Sequence, residues 1–299
     1  MYPFTQGSSE NLCIGHAIYL SLIANGYNVL KVPLCNEDGS YKESAKDAYD
    51  LIVQGFNPKF VMVSDYGPWP GVGWRKHNFP NTLMVYEAGD EPQSMYSHVP
   101  KLMNSDIVLT PDARNASIYK DAFKKISLWW PQFAMETVYS HEYESQPSTT
   151  CVTTCGDDRG PATSHMKSCL GESFINKRVW ESQEAHAQFL SSGIIVFQES
   201  THKEITRRVM EGAALGRLVL ADRPSEATEY RKLFVEGKEI IWYDSKEDAV
   251  EKAKYFLAHP QEALEIGANA RRRALQHHTC DARVKHLIGV VDIIAKKHG

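Results

Sequence analysis

One segment near residue 200 restricts the fold of this chain more than any other. An apolar run from Gly193 to Phe197 ends in a polar turn, and a helical pattern follows that carries Glu211 and ends at Gly216. A second apolar run, Leu218 to Ala221, comes next. Strand, loop, helix, glycine and strand in this order are typical of a crossover between two parallel strands. The segment therefore predicts a parallel sheet covered by helices.

The same alternation of short apolar runs and helical patterns extends over the rest of the chain. Strands are predicted at 27–34, 59–64, 82–86, 106–110, 126–130, 149–154, 194–197, 218–221 and 239–242. Helices are predicted at 11–24, 42–53, 92–102, 112–123, 166–170, 182–190, 204–214 and 281–296, with another that begins at Pro260. Strands separated by helices indicate a doubly wound parallel sheet, so the expected fold class is α/β.

The segment near residue 200 also predicts a binding site, because ligands of parallel sheets bind at the carboxyl ends of the strands. A helix that follows Ser200 and Thr201 would offer backbone N–H groups to an anion such as a diphosphate. Glu211, two turns further along, would be a fixed carboxylate able to bind the paired hydroxyls of a sugar. This combination favours a nucleotide-sugar site.

Three motifs carry a resemblance to a known family. They are RVMEGAALGRLVLADR (208–223), VEGKEIIWYDSKED (235–248) and KAKYFLAHPQEALEIGANARRRALQHHT (252–279). The region resembles the C-terminal domain of GT-B glycosyltransferases (glycosyl transferases group 1), most closely the CgeB-like branch. The first half resembles it weakly, through GSS near the start and WWPQFA (129–134). The resemblance implies two Rossmann-like domains facing a central cleft, with Glu211 holding the donor ribose.

One position departs from this family. Retaining members often carry a glutamate eight residues before the second one, and Lys203 stands there in this chain. Retention or inversion at the sugar therefore stays open.

The domain boundary is predicted where periodicity stops, between residues 131 and 148. The polar stretch EYESQPS in this region is typical of a linker. We expect an acceptor-side Rossmann-like domain at 1–145 and a nucleotide-sugar-binding domain at 146–280. The resemblance implies that the helix at 281–299 crosses back to the N-terminal domain.

Charge and hydropathy exclude several classes of protein. The net charge of the 299 residues is −4, but from Lys203 onward 18 basic residues face 15 acidic ones. A mildly cationic C-terminal part suits a phosphate-bearing donor, whereas tight DNA binding by charge requires a larger basic surplus. No apolar run approaches the roughly 18 residues of a membrane span. The first residues lack a signal-peptide pattern, so a cytoplasmic location is expected.

The six cysteines predict neither a disulfide scaffold nor a metal site. Cys151 and Cys155 are spaced as C-x3-C, but no second Cys/His pair with zinc spacing lies nearby, so buried thiols are favoured. No Asp-x-Asp motif occurs. We therefore expect metal-independent donor binding, in which helix N-termini and arginine stabilise the departing diphosphate. No cofactor is expected beyond the nucleotide-sugar cosubstrate.

The candidate catalytic residues follow the strand predicted at 82–86. Asp90 and Glu91 lie after Gly89, and a carboxylate placed there could take a proton from an acceptor hydroxyl. Asp90 is preferred as the base because Gly89 lets the backbone approach closely. The alternative is that both acids cap the next helix.

The candidate acceptor-binding residues lie in the loop after the strand predicted at 59–64. Its aromatic residues and glycines make a long loop that is suited to stacking on a sugar or base. The alternative is that the rings anchor the loop to the core. The residues are Asp65, Tyr66, Trp69 and Trp74.

The candidate donor-binding residues come from both halves of the chain. Some are small residues at predicted strand-to-helix turns, and others are polar or cationic groups of the crossover. Helix capping, a plain turn, a surface ion pair or a solvated histidine are the alternatives. The residues are Gly7, Ser8, Gly156, Arg159, His202, Thr206, Arg208 and Glu211.

The favoured hypothesis is a glycosyltransferase that moves a sugar from a nucleotide donor to a hydroxyl acceptor. A UDP-linked donor is expected because it is the commonest in the wider fold. Two alternatives stay open: a catalytically silent nucleotide-sugar-binding module, and a phage-type enzyme that glycosylates hydroxymethylated pyrimidines in DNA. The acceptor class and the oligomeric state stay open as well.

Overall fold

The structure is a computed structural model that describes residues 14–30, 55–64, 81–89, 95–140, 148–156, 160–179, 182–200 and 204–298. Contacts between Cα atoms divide the chain into two compact units. Unit 1 comprises Met1–Pro131 and Val284–Gly299, and unit 2 comprises Gln132–Arg283. These bounds differ from the predicted domain limits at 145 and 280, which concern domain roles and stay a prediction.

Unit 1 contains a parallel sheet with strands in sequential order, β1-β2-β3-β4. Strand β3 is buried along its whole length, as expected for apolar strands covered on both faces. The strands are β1 (Phe60–Ser64), β2 (Leu83–Glu87), β3 (Ile107–Thr110) and β4 (Ile126–Trp129). The helices are α1 (Ile14–Ala24), α2 (Met95–Met103) and α3 (Ala113–Phe123).

Helix α3 begins where the sequence predicts a helix start. The Asp112 side chain caps it by accepting a hydrogen bond from the Arg114 backbone N–H at 2.8 Å. Lys124 ends it in the left-handed conformation, with φ of 54°. Helices α2 and α3 contribute Leu102 and Tyr119 to a core that also holds Tyr86 and Val108.

Unit 2 contains a second parallel sheet, in the order β6-β5-β7-β8-β9. Its first strand is interior, so the chain adds strands on both sides of β5. The strands are β5 (Ser148–Thr154), β6 (Phe174–Asn176), β7 (Gly193–Gln198), β8 (Leu218–Asp222) and β9 (Ile241–Tyr243). The helices are α4 (Glu136–Tyr139), α5 (Pro161–Leu170), α6 (Gln183–Ser191), α7 (Arg207–Ala214), α8 (Lys246–Ala258) and α9 (Pro260–His277). Helix α10 (Cys280–His298) begins in unit 2 and belongs to unit 1 from Val284 onward.

Two glycines allow the helices of unit 2 to pack closely around the crossover. A Cβ atom at Gly212 of α7 would lie 3.0 Å from the Val196 side chain of β7. A Cβ atom at Gly267 of α9 would lie 2.3 Å from the carbonyl oxygen of Gly216. Helix α7 therefore lies directly against β7 on one side and near α9 on the other, which fixes the side chains that it carries.

The α/β fold class with two parallel sheets is confirmed. Residues 27–30 of the strand predicted at 27–34 form no strand. The strand Phe174–Asn176 was missed because it is only three residues long. The predicted linker at 142–148 lies outside the described residues, apart from its last residue, which begins β5. The predicted helix at 42–53 lies outside the described residues.

Candidate active site in unit 2

The order of strands in unit 2 places a topological switch point between β5 and β7. The chain leaves β5 toward β6 on one side and continues with β7 on the other. Ligands of open parallel sheets bind in the crevice at the carboxyl ends of the strands at such a point. Here those ends are followed by Cys155–Gly156 after β5 and by Glu199–Ser200 after β7.

A partly buried arginine lies against the bare backbone at this switch point. An atom added at the Cβ position of Gly156 would lie 3.1 Å from Nη2 of Arg208. Nη1 of Arg208 donates to Oε1 of Gln198 at 2.6 Å, and Thr206 Oγ1 donates to the same oxygen at 2.8 Å. Burial lowers the pKa of the Arg208 guanidinium, whereas Cys155 and Glu211 raise it. The site therefore contains a cation held close to the backbone of Gly156.

Glu211 is a buried carboxylate in the same helix, with only 6 % of its side chain exposed. Arg207 lies one turn before it, and its Nη2 is 3.1 Å from Oε1 of Glu211. His186 of α6 lies on the other side, with Nδ1 3.9 Å from Oε2. The carboxylate is therefore fixed between two nitrogen-bearing side chains.

Tyr139, Gln183 and His186 extend this cluster. The Tyr139 hydroxyl donates to Oε1 of Gln183 at 2.7 Å and lies 2.8 Å from Nδ1 of His186. We call these three residues the tyrosine network. They were not predicted from the sequence, because they follow no motif. The one available signal is the spacing of Gln183 and His186, three apart on one helix, which places both on the same side.

The loop after β7 is tied to the end of β8. The buried Asp222 accepts hydrogen bonds from the Ser200 backbone N–H at 2.9 Å and from Ser200 Oγ at 2.7 Å. Ser200 Oγ in turn accepts from the Glu204 N–H at 3.1 Å. The helix predicted at 204–214 therefore begins later, at Arg207. Residues 204–206 are not helical, and the Glu204 N–H and the Thr206 hydroxyl bond to the side chains of Ser200 and Gln198.

A carboxylate already occupies the N-terminus of helix α5. Glu199 accepts hydrogen bonds from the backbone N–H groups of Ala162 at 2.9 Å and Thr163 at 2.7 Å. It also accepts from Thr163 Oγ1 at 2.7 Å. A Cβ atom at Gly160 would lie 2.0 Å from Oε2 of Glu199, so glycine is needed for this contact. The positive end of α5 is thus neutralised from within the chain.

Four of the predicted donor-binding residues lie within the described part of the chain. Thr206 and Arg208 bind the same Gln198 oxygen, Gly156 lies beneath Arg208, and Glu211 is close enough to affect the Arg208 pKa. The remaining predicted site residues lie outside the described residues, and their roles stay predictions. These are Gly7, Ser8, Asp65, Tyr66, Trp69, Trp74, Asp90, Glu91, Arg159 and His202.

Two further properties concern the described residues alone. They contain no group of three or more His, Cys, Asp or Glu side chains arranged to hold a metal ion. Among the helices that the structure describes, none combines the length and the apolar character needed to cross a bilayer. Cys151 and Cys155 are buried free thiols, and burial raises the pKa of Cys155.

Comparison with known proteins gives a family match for unit 2. Residues 165–289 match the family described as Glycosyl transferase-like. None of the curated proteins matches the chain in sequence. The closer resemblance to the CgeB-like branch stays a prediction.

Solved structures of similar fold cover both units. A sucrose-phosphate synthase from Thermosynechococcus elongatus superposes with a TM-score of 0.63 at 12% identity, over 94% of this chain and 92% of the other. For a glycosyltransferase from Rickettsia africae ESF-5 the TM-score is 0.59 at 12% identity, over 93% and 88%. For Anabaena Alr3699/HepE in complex with UDP-glucose it is 0.58 at 11% identity, over 83% and 81%. The chain therefore shares the GT-B fold of these glycosyltransferases, and residues 165–289 match the Glycosyl transferase-like family.

Proposed function

We propose that this enzyme transfers a sugar from a nucleotide donor, UDP-linked, to a hydroxyl acceptor. The observation that carries the proposal is the Arg208 guanidinium, which lies against Gly156 at the switch point of the unit 2 sheet. A cation beside a residue that has no side chain is suited to binding a diphosphate. The HepE structure of similar fold, which was solved with UDP-glucose, supports the same class of donor.

Glu211 is proposed to hold the ribose of the donor. A carboxylate has about four acceptor positions, and the Arg207 contact on Oε1 uses only part of this capacity. Because the side chain is buried and fixed, it loses little conformational entropy when it accepts hydrogen bonds from paired hydroxyls. This arrangement favours a vicinal diol over a single hydroxyl.

Arg208 and the Gly156 turn are proposed to hold the diphosphate. In the reaction, the bond between the anomeric carbon and the diphosphate oxygen breaks, and the acceptor oxygen forms the new bond. The acceptor proton passes to a base, for which Asp90 or Glu91 stays the proposal. The nucleoside diphosphate leaves with the bonding electrons, and Arg208 would stabilise its charge without a divalent cation.

Calorimetric titration tests the donor site directly. Wild-type protein should bind UDP-glucose in the presence of a chelator, and GDP-mannose should bind more weakly. Arg208→Gln should raise the dissociation constant by about tenfold or more, because a charge-assisted contact is lost. Glu211→Gln should also weaken binding. Arg272→Gln is the matched control, since Arg272 is an exposed arginine of the same unit.

Transfer must be measured separately from binding. Release of UDP from UDP-glucose, with water or an added hydroxyl acceptor, would distinguish an enzyme from a silent binding module. If wild-type protein binds no nucleotide sugar, or if Arg208→Gln binds as tightly as wild type, the proposal is wrong.

A further inference from the structure

The two oxygens of Glu211 have different surroundings. Oε1 lies 3.1 Å from Nη2 of Arg207, within reach of a charge-assisted hydrogen bond. Oε2 lies 3.9 Å from Nδ1 of His186, which is beyond hydrogen-bonding distance. In the described part of the chain, Oε2 is therefore the oxygen that keeps its capacity to accept a bond from a ligand.

The tyrosine network decides where His186 carries its proton. The Tyr139 hydroxyl has one proton and donates it to Oε1 of Gln183 at 2.7 Å. The contact of 2.8 Å between this hydroxyl and Nδ1 of His186 must then be filled by a proton from the ring. His186 therefore carries its proton on Nδ1 and donates it to Tyr139, while the same nitrogen lies 3.9 Å from Oε2 of Glu211.

The ring is neutral as well as oriented. Burial lowers the pKa of His186, and the cations Arg208 and Arg207 lower it too, whereas Glu211 raises it. The fully buried Tyr139 contacts the ring through its hydroxyl, and the almost completely buried Gln183 accepts the proton of that hydroxyl. At neutral pH the ring beside Oε2 thus carries no full positive charge, and its Nδ1 proton is used by Tyr139 rather than by Oε2.

We infer that His186, held by Tyr139 and Gln183, is a positioning residue that keeps Oε2 of Glu211 oriented and open to a hydroxyl of the donor. This inference rests on the proposed function. In the opposite tautomer the nitrogen nearest to Oε2 would carry a lone pair in place of the proton, which is less favourable beside a carboxylate. A protonated ring would form a full ion pair with Oε2 and compete with the donor hydroxyl.

Gln183→Met tests the inference with little change in volume. It leaves Tyr139 and His186 in place but removes the acceptor of the Tyr139 proton. The hydroxyl should then donate to Nδ1, and His186 should move its proton to Nε2. Gln183→Glu is the rescue variant, because a carboxylate oxygen can again accept from Tyr139.

Two readouts are needed, and a purely structural role would not move the first. The nitrogen chemical shifts of the His186 ring, assigned by their loss in His186→Gln, report the tautomer at pH 7.5. We expect Nδ1–H in wild type and in Gln183→Glu, and Nε2–H in Gln183→Met. The dissociation constant for UDP-glucose should rise about three- to tenfold in Gln183→Met. His259→Gln, an exposed histidine of unit 2, should change neither readout.

The pH dependence of binding provides a third readout. The doubly esterified diphosphate of UDP-glucose keeps its charge in mild acid, unlike a terminal phosphate. At pH values below the ordinary pKa range of histidine, the affinity for UDP-glucose should therefore fall as His186 gains a proton. His186→Gln should flatten this pH profile.

The outcomes separate the inference from the proposed function. If wild type binds UDP-glucose but carries Nε2–H, or if Gln183→Met changes the tautomer without changing affinity, the inference is wrong and the donor site stands. If wild type binds no nucleotide sugar, the proposed function fails first, and the inference fails with it.

Discussion

Each unit of this protein contains a buried tyrosine–histidine pair, and the hydrogen bond runs in opposite directions in the two pairs. In unit 1, Nε2 of His98 lies 3.0 Å from the carbonyl oxygen of Gly89, which can only accept, so the proton is on Nε2. Nδ1 then accepts from the Tyr86 hydroxyl. In unit 2, Tyr139 donates to Gln183, and Nδ1 of His186 donates to Tyr139.

The third group that bonds to each tyrosine–histidine pair decides the role of the histidine. In unit 1, a backbone carbonyl accepts a hydrogen bond from the second ring nitrogen. The fully buried His98 therefore links the end of β2 to α2. A glutamine side chain in unit 2 accepts the tyrosine proton, so His186 donates to Tyr139 and its ring lies beside Glu211. The same two residue types thus link the end of a strand to a helix in one unit and lie beside a carboxylate in the other.

The largest expected effect is on stability, and it separates the two pairs. His98→Leu should lower the free energy of unfolding by about 2–4 kcal/mol, because two buried hydrogen bonds are lost and their partners stay buried. His186→Leu should cost about 1 kcal/mol, since 12% of the His186 side chain is exposed and water can replace it. Urea denaturation of both variants measures this difference. Equal losses would show that the two histidines have the same structural role.

A third buried histidine, His278, bonds to a backbone carbonyl and an arginine. Nε2 of His278 donates to the Leu233 carbonyl at 2.9 Å, and Nδ1 accepts from Nη2 of Arg283 at 3.1 Å. Burial lowers the pKa of His278 to about 3, with Arg283 as the next cause, against an ordinary value of 6.5.

Because the unfolded chain binds this proton more readily, the contribution of His278 to stability is complete above pH 6.5 and is lost as pH falls toward 3. By pH 5 the loss should reach about 2 kcal/mol. Urea denaturation at pH 8 and pH 5 should therefore show a smaller pH-dependent loss for His278→Gln than for wild type. His277→Gln removes an exposed neighbour and should keep the wild-type dependence. The prediction is wrong if the two variants respond alike.

The smallest expected effect is on the titration of His186. Glu211 raises the pKa of this ring against the larger effect of burial, so Glu211→Gln should lower the pKa further. A pH titration of the His186 ring signals by NMR measures the shift. Glu184→Gln, an exposed acid on the same helix, is the control and should leave the signals unchanged. A rise of the pKa in Glu211→Gln would contradict the contact between the two side chains.

Much of the fold could be predicted because its signals are local. Apolar runs that alternate with helical patterns predicted the parallel strands, Asp112 predicted the start of α3, and Pro260 predicted the start of α9. The strand Phe174–Asn176 was missed because three residues carry too little periodicity to distinguish a strand from a loop. The start of α7 was predicted too early. The bonds of Ser200 to Asp222 and Glu204 precede this helix, and no repeating pattern in the sequence predicts them.

The candidate site was predictable in part for the same reason. Glu211, Arg208 and Gly156 carry the family resemblance or follow a predicted strand, so sequence alone singled them out. Tyr139 and His186 come from α4 and α6, which no motif connects, and they meet only in the folded unit. No sequence pattern predicted that Glu199 caps α5.

The sequence by itself determined the α/β class, the crossover and a carboxylate on its helix, because periodicity and spacing act within a few turns of chain. Only the tertiary structure decided which strands became neighbours around β5, and therefore which polar groups lie at the switch point. It also decided the proton positions of His98 and His186, because a tautomer depends on a third partner brought from elsewhere in the chain. Hydrogen-bond direction is a property of the assembled network, and no single segment contains it.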